Sequence, residues 1–229
     1  MDEGGEVTDT ARALADIDSI RRRVVNVVGH ALRTPVTTMA GMATALESAT
    51  DDATRATLIS GLARNARRVE RLLDDLLVAA GVNTAAPVGE AQSVPVEPIV
   101  RRAWASLGGT DNITVDADAA PHVRAIAFER IMTVVLDNAL KYGEGRTGVR
   151  AETTLDGVRI EITSNGPAPS DDELPHLFEM LYRGEHAVIT APGLGIGLAV
   201  ARELARAEGG EVSLARRGDS TVVTVELPA

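Results

Sequence analysis

The stretch between Asp52 and Ala80 constrains this chain most. Leu58, Leu62, Val69, Leu72, Leu73, Leu76 and Leu77 recur at helical spacing, while Arg64, Arg67, Arg68, Glu70 and Arg71 fill the opposite side. A helix of this length with one apolar stripe has to bury that stripe against another element. A partner precedes it. From about Asp9 to Ser48, Leu14, Ile17, Val24, Val28 and Leu32 recur at spacings of three, four and seven with charged residues between them. Pro35 falls inside this pattern and removes one backbone hydrogen bond, so a kink near residues 31–35 is expected rather than a stop. The turn at 49–52, Ala-Thr-Asp-Asp, offers Asp51 or Asp52 as the N-cap of the second helix. Two long amphipathic helices joined by a short turn form an antiparallel hairpin. A lone hairpin cannot cover both stripes, and pairing with a second copy into a four-helix bundle solves the problem.

After a small, polar, proline-bearing stretch at 81–93 the texture changes. Ser-Val-Pro-Val-Glu-Pro reads as a short edge strand, 98–107 as a helix, 112–118 as a strand and about 126–142 as a helix. Alternating strands follow in 148–157 and 158–164, then a short helix around 173–181 and a helix at 197–208. Residues 211–217 and 220–228 close the chain as a hairpin. The expected organisation is α+β. A helical hairpin domain spans 1–82, a linker 83–92, and an α/β sandwich domain, helices layered on a sheet, 93–229.

A net charge of −10 in 229 residues argues against a nucleic-acid partner, which needs a basic field. The absence of cysteine excludes disulfides and thiolate zinc sites. No apolar run approaches the roughly 18–20 residues that span a bilayer, and the acidic start does not read as a secretion signal. A cytoplasmic chain without membrane contact of its own, or the cytoplasmic portion of a longer receptor, is expected.

Three short segments carry chemistry. In Gly-Leu-Gly-Ile-Gly-Leu, 193–198, Gly193, Gly195 and Gly197 let the backbone approach a ligand. The helix that follows presents free N–H groups and a positive dipole end to phosphate. A flexible turn explains the same residues, and neither a Walker A loop nor a Rossmann fingerprint is present. In 136–143, Asn138 can hold hydrated Mg²⁺ through its amide oxygen, and Lys141 and Tyr142 can reach phosphate and base. An ordinary amphipathic helix end also explains them. His30, in Gly-His-Ala-Leu-Arg-Thr-Pro at 29–35, is by itself no more than a helix histidine.

Their order adds what each lacks. His-Ala-Leu-Arg-Thr-Pro, Asp-Asn-Ala-Leu-Lys-Tyr-Gly, Ser-Asn-Gly-Pro at 164–167, Phe-Glu-Met-Leu-Tyr-Arg-Gly at 178–184 and the glycine-rich segment occur in one chain. This order resembles the catalytic half of a two-component sensor histidine kinase: a dimerisation and phosphotransfer hairpin followed by a GHKL-type ATP-binding domain. The resemblance covers nearly the whole chain. It implies that His30 accepts phosphate, that Asn138 binds Mg²⁺ and that Lys141 and Tyr142 lie beside ATP. Ser164 and Gly166 fall in its G1 box, Phe178 and Arg183 in its F box. Gly193, Leu194, Gly195, Gly197 and Leu198 fall in the G2 box that cradles phosphate. It further implies homodimerisation, transfer to a response-regulator receiver domain, and a role for Thr34 in dephosphorylating that partner.

Three positions depart from the family pattern. Ala31 replaces the acid that orients the histidine and takes its proton, a loss worth about 10²–10⁴ in rate for a general base. Ser164 replaces the aspartate that accepts a hydrogen bond from the adenine amino group, with Ala168 in place of a second glycine, so adenine selectivity weakens unless Asn165 or a water substitutes. Val134 replaces the first asparagine of the N box. These departures leave a second reading open: a degenerate kinase acting as a dimeric docking scaffold, or a phosphatase-biased regulator relying on Thr34.

Overall fold

The structure, a computed structural model, describes residues 28–29, 31–79, 89–110, 112–144, 146–184 and 194–229. Two compact units are present, Met1–Asp74 and Asp75–Ala229.

Two helices, α1 over 31–48 and α2 over Asp52–Ala79, make up the described residues of the first unit, with the last residues of α2, from Asp75, counted in the second. Helix α1 runs through Pro35 without interruption. Lacking an N–H, Pro35 leaves the Ala31 carbonyl without its helical donor, while the Thr38 hydroxyl donates to the Thr34 carbonyl at 2.9 Å. Of the two candidate caps, Asp51 starts α2: its carboxylate accepts the Thr54 N–H at 2.7 Å. That hydrogen bond, the largest influence on the group, holds the Asp51 carboxyl below its ordinary value. Gly61 of α2 is buried where Met42 of α1 crosses it; a Cβ there would lie 2.8 Å from the Met42 sulfur. Val36 and Ile59 stay exposed. The helical reading of 9–27 lies outside the described residues.

The second unit places helices on one face of a sheet, as the sequence predicts. Its elements are β1 (Gln92–Ser93), α3 (Val96–Ser106), β2 (Ile113–Ala117), β3 (His122–Val123), α4 (Ala125–Tyr142), β4 (Thr147–Thr153) and β5 (Val158–Asn165). Then come a 3₁₀ turn (Leu174–His176), α5 (Gly197–Ala207), β6 (Glu211–Arg217) and β7 (Ser220–Leu227). The five-stranded sheet has the order β2-β4-β5-β7-β6, parallel only between β2 and β4, and β1 pairs separately with β3. The edge strand expected at 93–98 shrinks to two residues. Helix α3 begins at Val96 instead, because Pro98 falls in its first turn, where its missing N–H has no intrahelical partner to lose. The short helix expected near 173–181 is a single 3₁₀ turn followed by irregular backbone.

Helix α4 is the spine of this unit. Ala127, Phe128, Ile131, Met132, Val135, Leu136 and Ala139 lie on one stripe and are all buried. They pack among α3, α5 and β5. Its N-terminus has no side-chain cap of its own. Glu208, at the end of α5, fills that place. Its carboxylate accepts the Arg124 backbone N–H at 2.9 Å and the guanidinium at 2.7 Å, and its side chain is 3% exposed. On the sheet, directly opposed residues share a face. Val158, Ile160 and Ile162 of β5 therefore meet Leu227, Val225 and Val223 of β7 beneath α4. The lone tryptophan, Trp104 of α3, is buried and donates its indole N–H to the Thr110 carbonyl at 2.8 Å.

Candidate nucleotide site

At one end of the second unit the apolar rows of the sheet stop and a cavity opens, its mouth to solvent. Asn138 and Tyr142 reach it from the last turns of α4, Ser164 and Gly166 from the end of β5, Leu198 from the first turn of α5, and Arg183 from the irregular segment between. Six residues singled out from sequence thus line one space.

Each is placed by a local physical requirement. Gly166 has φ +146°, and a Cβ would collide with the Tyr142 carbonyl, so only glycine lets the chain leave β5 against the end of α4. Gly195, at φ +70°, packs on the Tyr182 carbonyl, and its own carbonyl accepts the Leu181 N–H at 2.8 Å. Leu181 is buried and held at φ +66°, a left-handed conformation that costs a branched residue energy and persists because the surroundings impose it. Gly197 opens α5 beside Val134. Ile196, at the N-cap, makes no side-chain cap, and the first helical bond runs from Val200 N–H to the Ile196 carbonyl. The first-turn N–H groups of α5 thus have no intrahelical acceptor and suit an anion.

The segment on the far wall is braced from behind. The Arg202 guanidinium stacks over the Phe178 ring, 4.5 Å from its centroid, and donates to Glu211 at 2.7 Å. Burial alone would raise the Glu211 carboxyl. Hydrogen bonds from Arg202, the Val212 N–H and Arg206 outweigh it and hold the group below its ordinary value. Glu173 also lines the cavity, its carboxylate accepting the Ser170 N–H at 2.8 Å and the Ser170 hydroxyl at 3.1 Å.

Other expected residues stand elsewhere. Lys141 does not line the cavity; its ammonium pairs with Asp137, one turn earlier on the exposed side of α4. Leu194 is half-buried and outside the lining, and Thr34 lies exposed on α1. His30 and Gly193 lie outside the described residues. The structure adds Thr221 and Leu214, which come from the C-terminal hairpin. The signal for Thr221 was present in the alternation of 220–227, where it shares parity with the core residues Val223, Val225 and Leu227. Among the described residues no group of three acidic or histidine side chains could hold a metal ion, and no helix is long and apolar enough to cross a membrane.

Comparison with known proteins agrees with this geometry. Residues 20–80 match the His Kinase A (phospho-acceptor) domain, and residues 124–229 match the histidine kinase-, DNA gyrase B-, and HSP90-like ATPase domain. The chain is 29% identical over 247 residues to the sensor protein KdpD of Mycobacterium tuberculosis, covering 99% of this chain and 28% of that protein. It spans about a quarter of the length of the KdpD sensors it matches. Its fold resembles that of the Acinetobacter baumannii histidine kinase AdeS, with a TM-score of 0.59 at 18% identity over 87% of this chain and 97% of that one. It also resembles ShkA in complex with AMPPNP, with a TM-score of 0.59 at 22% identity over 91% of this chain and 45% of that one. A phospho-acceptor domain followed in one chain by an ATPase domain makes this protein a member of the sensor histidine kinases of two-component systems.

Proposed function

We propose that the chain is a protein-histidine kinase that binds ATP in the cavity of its second unit, phosphorylates His30 and passes the phosphoryl group to an aspartate of a response-regulator receiver domain. The observation that carries this reading is the convergence of Asn138, Tyr142, Ser164, Gly166, Arg183 and Leu198 on one cavity beside the uncapped start of α5. The first-turn N–H groups of α5 and the Arg183 guanidinium suit the phosphates. Asn138 contributes an amide oxygen of the hard-donor type Mg²⁺ prefers. With no acidic cluster nearby, the nucleotide's own phosphates would complete the coordination. When bound, the ion neutralises phosphate charge.

In the reaction, an unprotonated ring nitrogen of His30 attacks the γ-phosphorus, the bond to the β,γ-bridging oxygen breaks, and ADP leaves with that electron pair. The proton on the other ring nitrogen, which an acid at position 31 would take, passes to solvent. The exposed Val36 and Ile59 fit the face through which two hairpins form a dimeric four-helix bundle.

A second reading, a degenerate kinase serving as docking scaffold or phosphatase-biased regulator, is favoured by Val134. It presents a methyl group to Gly197 at the start of α5, where an amide would face the phosphates. Labelled ATP with Mg²⁺ separates the two. The kinase reading requires acid-labile label on the purified chain that disappears in His30→Gln and rises in Ala31→Glu. No His30-dependent label from the wild-type chain overturns it in favour of the scaffold.

A further inference from the structure

The sheet beneath the cavity shows which bases it can accept. Core-facing rows across β4, β5 and β7 are apolar: Ala151, Ile160 and Val225, then Val149, Ile162 and Val223. The next row is Thr147, Ser164 and Thr221, three hydroxyls side by side where the apolar pattern would continue. Ser164 and Thr221 line the cavity. Ser164 is only 9% exposed and Thr147 3%. A mostly buried hydroxyl that opens on a cavity can bond a ligand atom placed there.

Charge sets how a nucleotide lies here. Its phosphates go to Arg183 and the start of α5, which leaves the base on the sheet against Leu214, Ala168 and the hydroxyl row. The hydroxyl row itself carries no carboxylate. Glu173, the acid among the described lining residues, stands just before the 3₁₀ turn rather than on the sheet, and one of its oxygens accepts the Ser170 N–H and hydroxyl. Asn165 cannot substitute. It follows Ser164 on β5 and points to the other face, where its side-chain oxygen accepts the Ser220 hydroxyl at 2.9 Å.

We infer that this hydroxyl floor accepts 6-oxo purine nucleoside triphosphates as well as 6-amino ones, which rests on the proposal that a nucleoside triphosphate occupies the cavity. A 6-amino purine presents a donor at C6 and an acceptor at N1; a 6-oxo purine presents the reverse. A carboxylate facing C6 accepts from the 6-amino group and is repelled by a 6-oxo oxygen there, whereas a hydroxyl rotates and serves as donor or acceptor. A site committed to a substrate N–H discriminates against the analogue lacking it by about 10⁴–10⁵, and a hydroxyl floor forfeits that discrimination.

Titration calorimetry of the purified chain with Mg²⁺ and either ATP or ITP tests this, since the two differ only at the C6–N1 edge. The expected ratio of dissociation constants is under about 30, rising at least about tenfold in Ser164→Asp. The wild-type ratio decides even where the variant fails to fold. ATP binding with ITP weaker by more than that ratio overturns the inference and leaves the nucleotide site standing. Absence of binding by either nucleotide overturns both.

Discussion

Gly195 and Tyr182 approach so closely that no side chain fits between them: a Cβ on Gly195 would lie far inside contact distance of the Tyr182 carbonyl oxygen. Gly195 also holds φ +70° and receives the Leu181 N–H. Gly195→Ala therefore adds a backbone penalty of about 1–3 kcal/mol for the unusual φ and forces Tyr182 and Arg183 apart from α5. ATP affinity is expected to fall at least tenfold, read by calorimetry, with helical content by circular dichroism unchanged. Unaltered affinity would show that this contact does not shape the cavity.

Glu208→Gln probes the brace at the base of α4. Glutamine keeps the shape and one acceptor but leaves Arg124 without its counter-charge beside a helix N-terminus. With Arg124 partly open to water, the cost is about 2 kcal/mol, below the value for a fully buried pair. Urea unfolding followed by the fluorescence of Trp104, the lone tryptophan, should show a lower midpoint with an unchanged slope.

The Glu211 carboxyl stands below its ordinary value of 4.5, so folding favours its charged form. A depressed native pKa contributes stability that is fully present above the unfolded value and is lost as pH falls through the native one. Wild-type stability should thus decline below about pH 4.5, and part of that decline should be missing in Glu211→Gln. Unfolding curves between pH 3 and 7 check the sign. A Glu211→Gln curve parallel to wild type throughout would show that the Arg202 and Arg206 bonds do not favour the charged form.

Gly61 separates two kinds of close packing. The close contacts of a Cβ there are the Met42 sulfur and methyl, at 2.8 and 2.9 Å, the movable end of a flexible side chain. Gly61→Ala should therefore be tolerated, with up to about 1 kcal/mol gained from helix propensity. Gly61→Leu should lower the thermal midpoint of the hairpin's helical signal, because a branched side chain needs more room than Met42 can yield. Equal midpoints for the two variants would contradict this packing.

Periodicity made the elements legible because each helix or strand records, in its own spacing, which side faces the core. The stripe of α4 and the alternation of β5 and β7 depend on nothing outside themselves, and the limits of α4 and α5 match the sequence reading closely. The stretch 93–98 was read as an edge strand, whereas the helix takes in Val96 and Glu97, with Pro98 harmless in its first turn. The site is different in kind. Asn138, Ser164 and Leu198 are far apart in the chain, and a resemblance in motif order, rather than any local rule, suggested that they share a ligand. Lys141 could not be placed from spacing alone, because Asp137 four residues away competes for its charge.

Sequence by itself determined two amphipathic helices and a helix-covered sheet, since these follow from local periodicity. Only the tertiary structure decided that Thr147, Ser164 and Thr221 form one row under the cavity. That row depends on the pairing register of β4, β5 and β7, a long-range alignment that no strand specifies alone.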